Sequence, residues 1–274
     1  MLPLSTPHSH TMFTDGRNTA EEMVGAAVQK GFVSLGFSEH GRQDFDSPLY
    51  ALSPESEEKY IREIRRLQEL YKDAITLRLG VERDFYSVAE RQLYDYTLGS
   101  VHYLLTDAGL ISVDGNSDVL RTALAKEWHG KGLLFAEQYY DLLGRYVAEY
   151  KPDIIGHFDL ITKHNAKLRI FDENSPDYLR LAYAAMDRAI TGSELMEVNT
   201  GAMARAGAPL PYPALPLLLY WRSIGGRVIL SSDCHDARML DFGYEKGLAV
   251  IREAGYTEIT YLGTEDALFS KTDI

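Results

Sequence analysis

In the stretch PLSTPHSH, residues 3–10, a short extended-looking run ends in two histidines spaced two apart. Residues two apart on a strand project to the same side, so the imidazoles of His8 and His10 can meet one ion. The same pattern recurs along the chain. Strands are predicted at 3–8, 32–38, 75–82, 96–102, 153–157, 194–199 and 227–232, with a weaker one at 258–262. Six of them finish in side chains able to bind a metal: His8 and His10, then His40, Glu82, His102, His157, and finally Asp233 with His235.

Amphipathic helical stretches separate these strands, with no Pro/Ser-rich linker, charge block or internal repeat between them, which favours one domain over residues 1–274. Thr19 with Glu22 predicts a capping box before MVGAAVQK, and Gly31 stands where that helix should stop. Ser53 followed by Pro54 opens a helix over 54–72 that places Tyr60, Ile61, Ile64, Leu67 and Tyr71 along the face turned to the sheet. Residues 103–115, YLLTDAGLISVDG, turn at Asp107 to Gly109 and predict an inserted hairpin. Alternating β and α elements argue for a parallel sheet with right-handed crossovers, and seven or eight strands suffice for a barrel. The C-terminal strand ends of a parallel barrel form one face, where the active sites of such barrels lie.

Composition narrows the function classes. With 274 residues and 45% hydrophobic content the chain can bury a large core. The single cysteine, Cys234, excludes an internal disulfide framework and fits a reducing compartment. A formal net charge of −12 opposes binding to long nucleic acid, which depends on Lys and Arg neutralising phosphates. No run reaches the roughly 18 apolar residues of a membrane span, and the first residues lack the blocks of a signal peptide, so a soluble, cytoplasmic protein without membrane attachment is expected.

A donor set of imidazoles and carboxylates without a thiolate cluster suits zinc, iron or manganese better than calcium. The donors exceed what one tetrahedral ion accepts, so at least two divalent ions are expected, and Glu82 can bridge a pair through its two oxygens. Paired ions about 3.5–4 Å apart can hold a hydroxide between them and clamp the attacking and leaving oxygens of a phosphoryl transfer.

The motifs HSHTMFTDG (His8 to Gly16), SEH (Ser38 to His40), GVE (Gly80 to Glu82), GSVH (Gly99 to His102), GHFD (Gly156 to Asp159) and SSDCH (Ser231 to His235) occur in that order. This ordered set resembles the polymerase and histidinol phosphatase (PHP) superfamily, in its free-standing histidinol-phosphate phosphatase branch. HxH alone occurs in many metalloenzymes; the order is what is specific. The resemblance implies a distorted (β/α)7 barrel and a trinuclear site. By motif position His8, His10, Glu82 and Asp233 would bind the first ion, Glu82, His102 and His157 the second, and Asp15, His40 and His235 the third. Asp15 read alone is a turn residue, and the family motif raises it to a ligand. The implied substrate is L-histidinol phosphate, a small phosphorylated molecule, hydrolysed by metal-activated water. Glu82, Asp233 and Arg205 are the candidate catalytic side chains.

Phosphate recognition needs a cation near the ions. Arg205, just after the strand end in EVNTGAMAR, has the fork for bidentate contact, and Arg42 and Lys163 also follow strand ends. The alternative for each is a solvated surface charge. Asn199 ends its strand and could donate to substrate, or serve as a cap. His164 follows the fifth strand closely enough to reach substrate, whereas His129 reads as a surface residue. Alternation turns Cys234 away from the site, as a buried thiol.

Three other readings compete. An amidohydrolase also carries HxH on a barrel but leaves Asp15, His40 and His235 without a purpose. A PHP-type nuclease or nucleotide phosphoesterase would use the same ions; acidity weighs against a long polymer and not against a nucleotide. A structural zinc site is usually closed by four ligands, often cysteines, and this set is larger. Neither GxxxxGK[ST] nor GxSxG is present, which argues against nucleotide-driven or serine-based chemistry.

Overall fold

The computed structural model describes residues 2–45, 50–264 and 267–274. The strands are β1 (Leu4–Thr6), β2 (Phe32–Phe37), β3 (Thr76–Asp84), β4 (Tyr96–Ser100), β5 (Tyr103–Thr106), β6 (Gly109–Ser112), β7 (Ile154–Ile155), β8 (Leu195–Asn199), β9 (Arg227–Ser231), β10 (Glu258–Leu262) and β11 (Phe269–Asp273). β5 and β6 form the expected hairpin outside the main sheet. The main sheet runs β1-β2-β3-β4-β7-β8-β9-β10-β11, parallel at every pairing except the antiparallel β10–β11 edge.

The first and seventh parallel strands of this series meet again. Beyond β1 and β9 the chain forms a parallel bridge between Ser9 and Cys234, with the His10 amide donating to the Cys234 carbonyl at 2.8 Å. Lower down, β10 occupies the gap: it pairs with β9 at Thr260 and Ile229, while Ser34 Oγ donates to the Leu262 carbonyl at 2.7 Å. The architecture is a distorted α/β barrel of seven parallel strands, wedged open at its base by an eighth. The polar sequence FSKTD gave no period-2 apolar signal for β11, which lies at the sheet edge with one face in solvent.

The helices pack outside, as their patterns dictate. Helix Ala20–Lys30 carries the Thr19–Glu22 capping box and ends at Gly31. Helix Pro54–Tyr71 is capped by Ser53 and buries Tyr60, Ile64 and Leu67 completely, each contributing about 2 kcal/mol of apolar burial. Ile61 and Tyr71 lie partly buried at the margins of that face. Tyr60 also ties the helix to β3 by donating its hydroxyl to the Gly80 carbonyl at 2.8 Å.

Tyr96 fills the barrel interior, where it packs with Leu98, Ile154, Leu195 and Ile229. Its ring lies flat against Gly80, where a Cβ would fall 2.3 Å from the ring carbon. The hydroxyl donates to the carbonyls of Pro7 and Phe37, the first of these directly before His8. The floor of the upper face is therefore pinned from inside the barrel. Among the described residues no helix is long and apolar enough to cross a membrane.

Candidate metal centre

Glu82, two residues before the upper end of β3, stands at the centre of the upper face, 1% exposed. Its Oε1 is 2.8 Å from His157 Nε2 and 3.4 Å from His102 Nε2, and its Oε2 is 2.9 Å from His40 Nδ1 and 3.3 Å from His8 Nε2. Among the described residues neither oxygen has a hydrogen-bond partner of good geometry. A buried carboxylate left in this way is costly. Imidazole nitrogens from four strands converge on this carboxylate, an arrangement that a bound cation would complete. Tetrahedral ligands about 2.1 Å from one ion stand about 3.4 Å apart, the range in which these donors lie.

His8 and His10 bring their Nε2 atoms to 3.0 Å of each other, and Asp233 Oδ1 lies 3.6 and 3.4 Å from them. Asp15 Oδ1 is 3.2 Å from His235 Nε2 and 3.7 Å from His40 Nε2. The turn that aims Asp15 is tight: the Thr14 and Gly16 amides both donate to the Thr11 carbonyl at 3.0 Å, and a Cβ at Gly16 would fall 2.5 Å from the His10 carbonyl. Three donor groups each converge within 4.8 Å: His10, Asp15, His40 and His235; His8, His10 and Asp233; and His40, Glu82 and His102. His157 touches the cluster through Glu82. The site therefore suits divalent metal ions.

Electrostatics agrees with this donor role. Burial, together with the His235 and His40 imidazoles, pushes the His10 pKa down to about 3, so its ring is neutral and offers lone pairs. Burial opposes charge on Glu82, yet the imidazoles of His8, His102 and His40 hold it well below the usual carboxylate range.

The expected alternation at 233–235 is corrected. β9 ends at Ser231, and Asp233 adopts φ 45°, a left-handed conformation uncommon for a non-glycine residue. That kink, rather than strand periodicity, brings Asp233 and His235 to the cluster. Cys234 points the other way into the apolar core, 2% exposed, as alternation had suggested.

The basic and polar candidates part company. Arg205 grips Asp233 and lines an inner cavity of ≈ 220 Å³ with Lys163, Asp114 and the ligands. Lys163 pairs with Asp114 at 2.9 Å. Arg42 is a correction: its Nη1 donates to Glu57 at 3.1 Å, so the helix carboxylate draws the guanidinium away from the cluster. Asn199 is another: both contacts of its amide nitrogen are to Glu197 and Asp233, and its oxygen accepts from the Gly201 amide, so it braces ligands instead of reaching substrate. His164 is a third, its Nε2 lying 2.7 Å from the Gly115 carbonyl, where it fastens a loop of the cleft wall. His129 is exposed.

Sequence reasoning missed the carboxylates behind the imidazoles. Glu197 Oε2 accepts from His8 Nδ1 at 2.9 Å, and its Oε1 accepts from the His157 amide at 2.5 Å. In neutral His8 this fixes the proton on Nδ1 and leaves the Nε2 lone pair facing Glu82. Asp84 accepts from the His102 amide at 2.6 Å and lies 3.4 Å from its Nδ1. Glu39 accepts from Thr11 and Thr14 and stands 4.0 Å from His10 Nδ1. Asp84 follows Glu82 by two on β3, so strand period alone could have found it.

The PHP domain family model matches residues 7–201. A Schizosaccharomyces pombe protein named Probable histidinol-phosphatase is 28% identical over 94% of this chain and 89% of its own. Histidinol-phosphatase of Bacillus subtilis is 26% identical over 87% of this chain and 96% of its own. Among solved structures, histidinol phosphate phosphatase from Lactococcus lactis, crystallised with zinc, L-histidinol and phosphate, superposes with a TM-score of 0.67 at 20% identity, covering 94% of this chain and 95% of that one.

Proposed function

The chain belongs to the PHP domain family, and from that premise we propose that it is a metal-dependent phosphomonoesterase that hydrolyses L-histidinol phosphate to L-histidinol and phosphate. One observation carries the reading: imidazoles from four strand ends converge on Glu82, a buried carboxylate that has no hydrogen-bond partner among the described residues. Three ions fit the number of donors, zinc, iron or manganese by ligand type. His8, His10, Glu82 and Asp233 would hold the first, Glu82, His102 and His157 the second, and Asp15, His40 and His235 the third.

Bound divalent ions supply an activated water and neutralise charge on the phosphoryl oxygens. The chain's own residues do the rest. Glu82 would be shared between two ions, the carboxylates of Glu197 and Asp84 orient imidazoles, and Arg205 and Lys163 would face the phosphate from the wall of the inner cavity. The whole chain acts as one catalytic unit in the cytoplasm.

The test is phosphate release by the metal-loaded protein from L-histidinol phosphate, nucleoside monophosphates and short oligonucleotides, compared by kcat/KM. The highest value is expected for L-histidinol phosphate. A higher value on a nucleotide would replace this reading with a nucleotide phosphoesterase.

A further inference from the structure

The motif SEH contributes His40 to the cluster and leaves its carboxylate, Glu39, without a part in holding ions. Glu39 is fully buried, and its Oε2 stands 4.0 Å from His10 Nδ1, too far for a hydrogen bond. Among the described residues its three hydrogen bonds all come from residues 11–14. Oε1 accepts from the Thr11 amide at 2.8 Å and from the Thr11 hydroxyl at 2.5 Å, and Oε2 accepts from the Thr14 hydroxyl. A buried carboxylate is costly unless donors replace its water, and here a single turn supplies them.

That turn carries Asp15. It folds back on the Thr11 carbonyl, and Asp15 follows directly on Thr14, whose hydroxyl Glu39 holds. Beyond Asp15, the Arg17 amide donates to the His235 carbonyl at 2.9 Å. The turn is therefore fastened on one side to the residue beside His40 and on the other to His235, the two imidazoles that would share the third ion with Asp15. Among the described residues the Glu39 side chain makes no hydrogen bond to His8, Glu82, His102, His157 or Asp233. Glu82 meets only its backbone, donating its amide to the Glu39 carbonyl at 3.0 Å.

We infer that Glu39 is a positioning residue for the third ion alone. It fixes the backbone that aims Asp15, and His40 follows it in the chain, so one segment sets two of that ion's three donors. The inference rests on the three-ion reading and deepens it, because it makes the third position removable without the other two. A carboxylate that holds a ligand in place tunes the affinity of an ion it does not contact. Without Glu39, the Thr11 amide and both threonine hydroxyls lose their acceptor, and the Asp15 carboxylate loses its fixed place opposite His40 and His235.

The experiment equilibrates wild type, Glu39→Ala and Thr14→Val with a series of chelator-buffered zinc concentrations and counts ions per chain by elemental analysis. Circular dichroism checks the fold of each metal-free protein. Wild type should fill three positions. In both variants one position should weaken about 10–100-fold while the other two stay within about twofold. A merely structural role would weaken all three together, and that result, or wild-type occupancy in the folded variants, would overturn the inference and leave the three-ion reading standing. Thr14 is only partly buried, and valine keeps its shape without the hydroxyl, so Thr14→Val decides alone if Glu39→Ala does not fold. A wild type that never binds more than two ions would overturn the three-ion reading, and this inference with it.

Discussion

Arg205 holds Asp233 in a two-pronged grip, with Nη1 donating to Oδ1 at 3.0 Å and Nη2 to Oδ2 at 2.8 Å. Nη1 also reaches His235 Nδ1 at 2.6 Å. One guanidinium thus bridges ligands assigned to different ions while bordering the cavity where a phosphate would sit. The left-handed backbone at Asp233 is held by the same fork, since Nη1 donates to the Asp233 carbonyl at 2.5 Å as well.

Arg205→Ala should raise KM and lower kcat/KM by about 10–100-fold, the loss expected for a charged hydrogen bond. Bound metal should fall less than activity, as read by elemental analysis of the same samples. Complete loss of metal would make Arg205 a brace for Asp233 and remove it from substrate binding.

Glu197 meets no proposed ion but fixes the His8 ring and the His157 amide. Glu197→Gln should weaken metal affinity by about 10–100-fold, the usual cost of losing a carboxylate behind a metal-binding histidine. Competition with a chromophoric chelator measures it. Affinity equal to wild type would show that His8 is oriented by packing alone.

Ion loading should release protons. Without ions, burial works against charge on His102, yet Glu82 and Asp84 raise its pKa to about 10, so the ring carries a proton at neutral pH that a metal must displace. The sign follows: apparent metal affinity drops as pH falls and rises toward pH 10. Calorimetric titration with zinc in buffers of different ionisation enthalpy should show net proton release at pH 7. Zero release would contradict the protonated state of the ion-free cluster.

Cys234, between two candidate ligands in sequence, should be inert. Its thiol is 2% exposed, and burial pushes its pKa up to about 12. Iodoacetamide at pH 7.5 should leave it unlabelled in the folded protein and label it in denaturant. Rapid labelling of the native chain would place the thiol at the surface.

The strand-end donors were legible because each lies at the boundary of an apolar run, where side chain and backbone pattern can be read together. Helix caps at Thr19 and Ser53 were legible for the same local reason. What escaped depends on partners distant in sequence. Arg42 turns from the site because Glu57, on a separate helix, offers a carboxylate at 3.1 Å. Asn199 is engaged by Glu197 and by Asp233, 34 positions away. Tyr96 lies against Gly80 only once the strands pair, so its role as the floor of the face has no sequence signature. Glu197 occupies a mid-strand position, where a carboxylate makes sense only opposite an imidazole from the other end of the chain.

Metal occupancy and turnover measured together on wild type and Glu82→Ala test the central claim most directly. The protein is stripped with chelator, reloaded stepwise with zinc or manganese, and assayed at each step for phosphate release from L-histidinol phosphate. Turnover should be absent in stripped protein and rise with occupancy, while folded Glu82→Ala binds little metal and stays inactive. Full activity in metal-free protein, or wild-type rates from Glu82→Ala, would contradict the account.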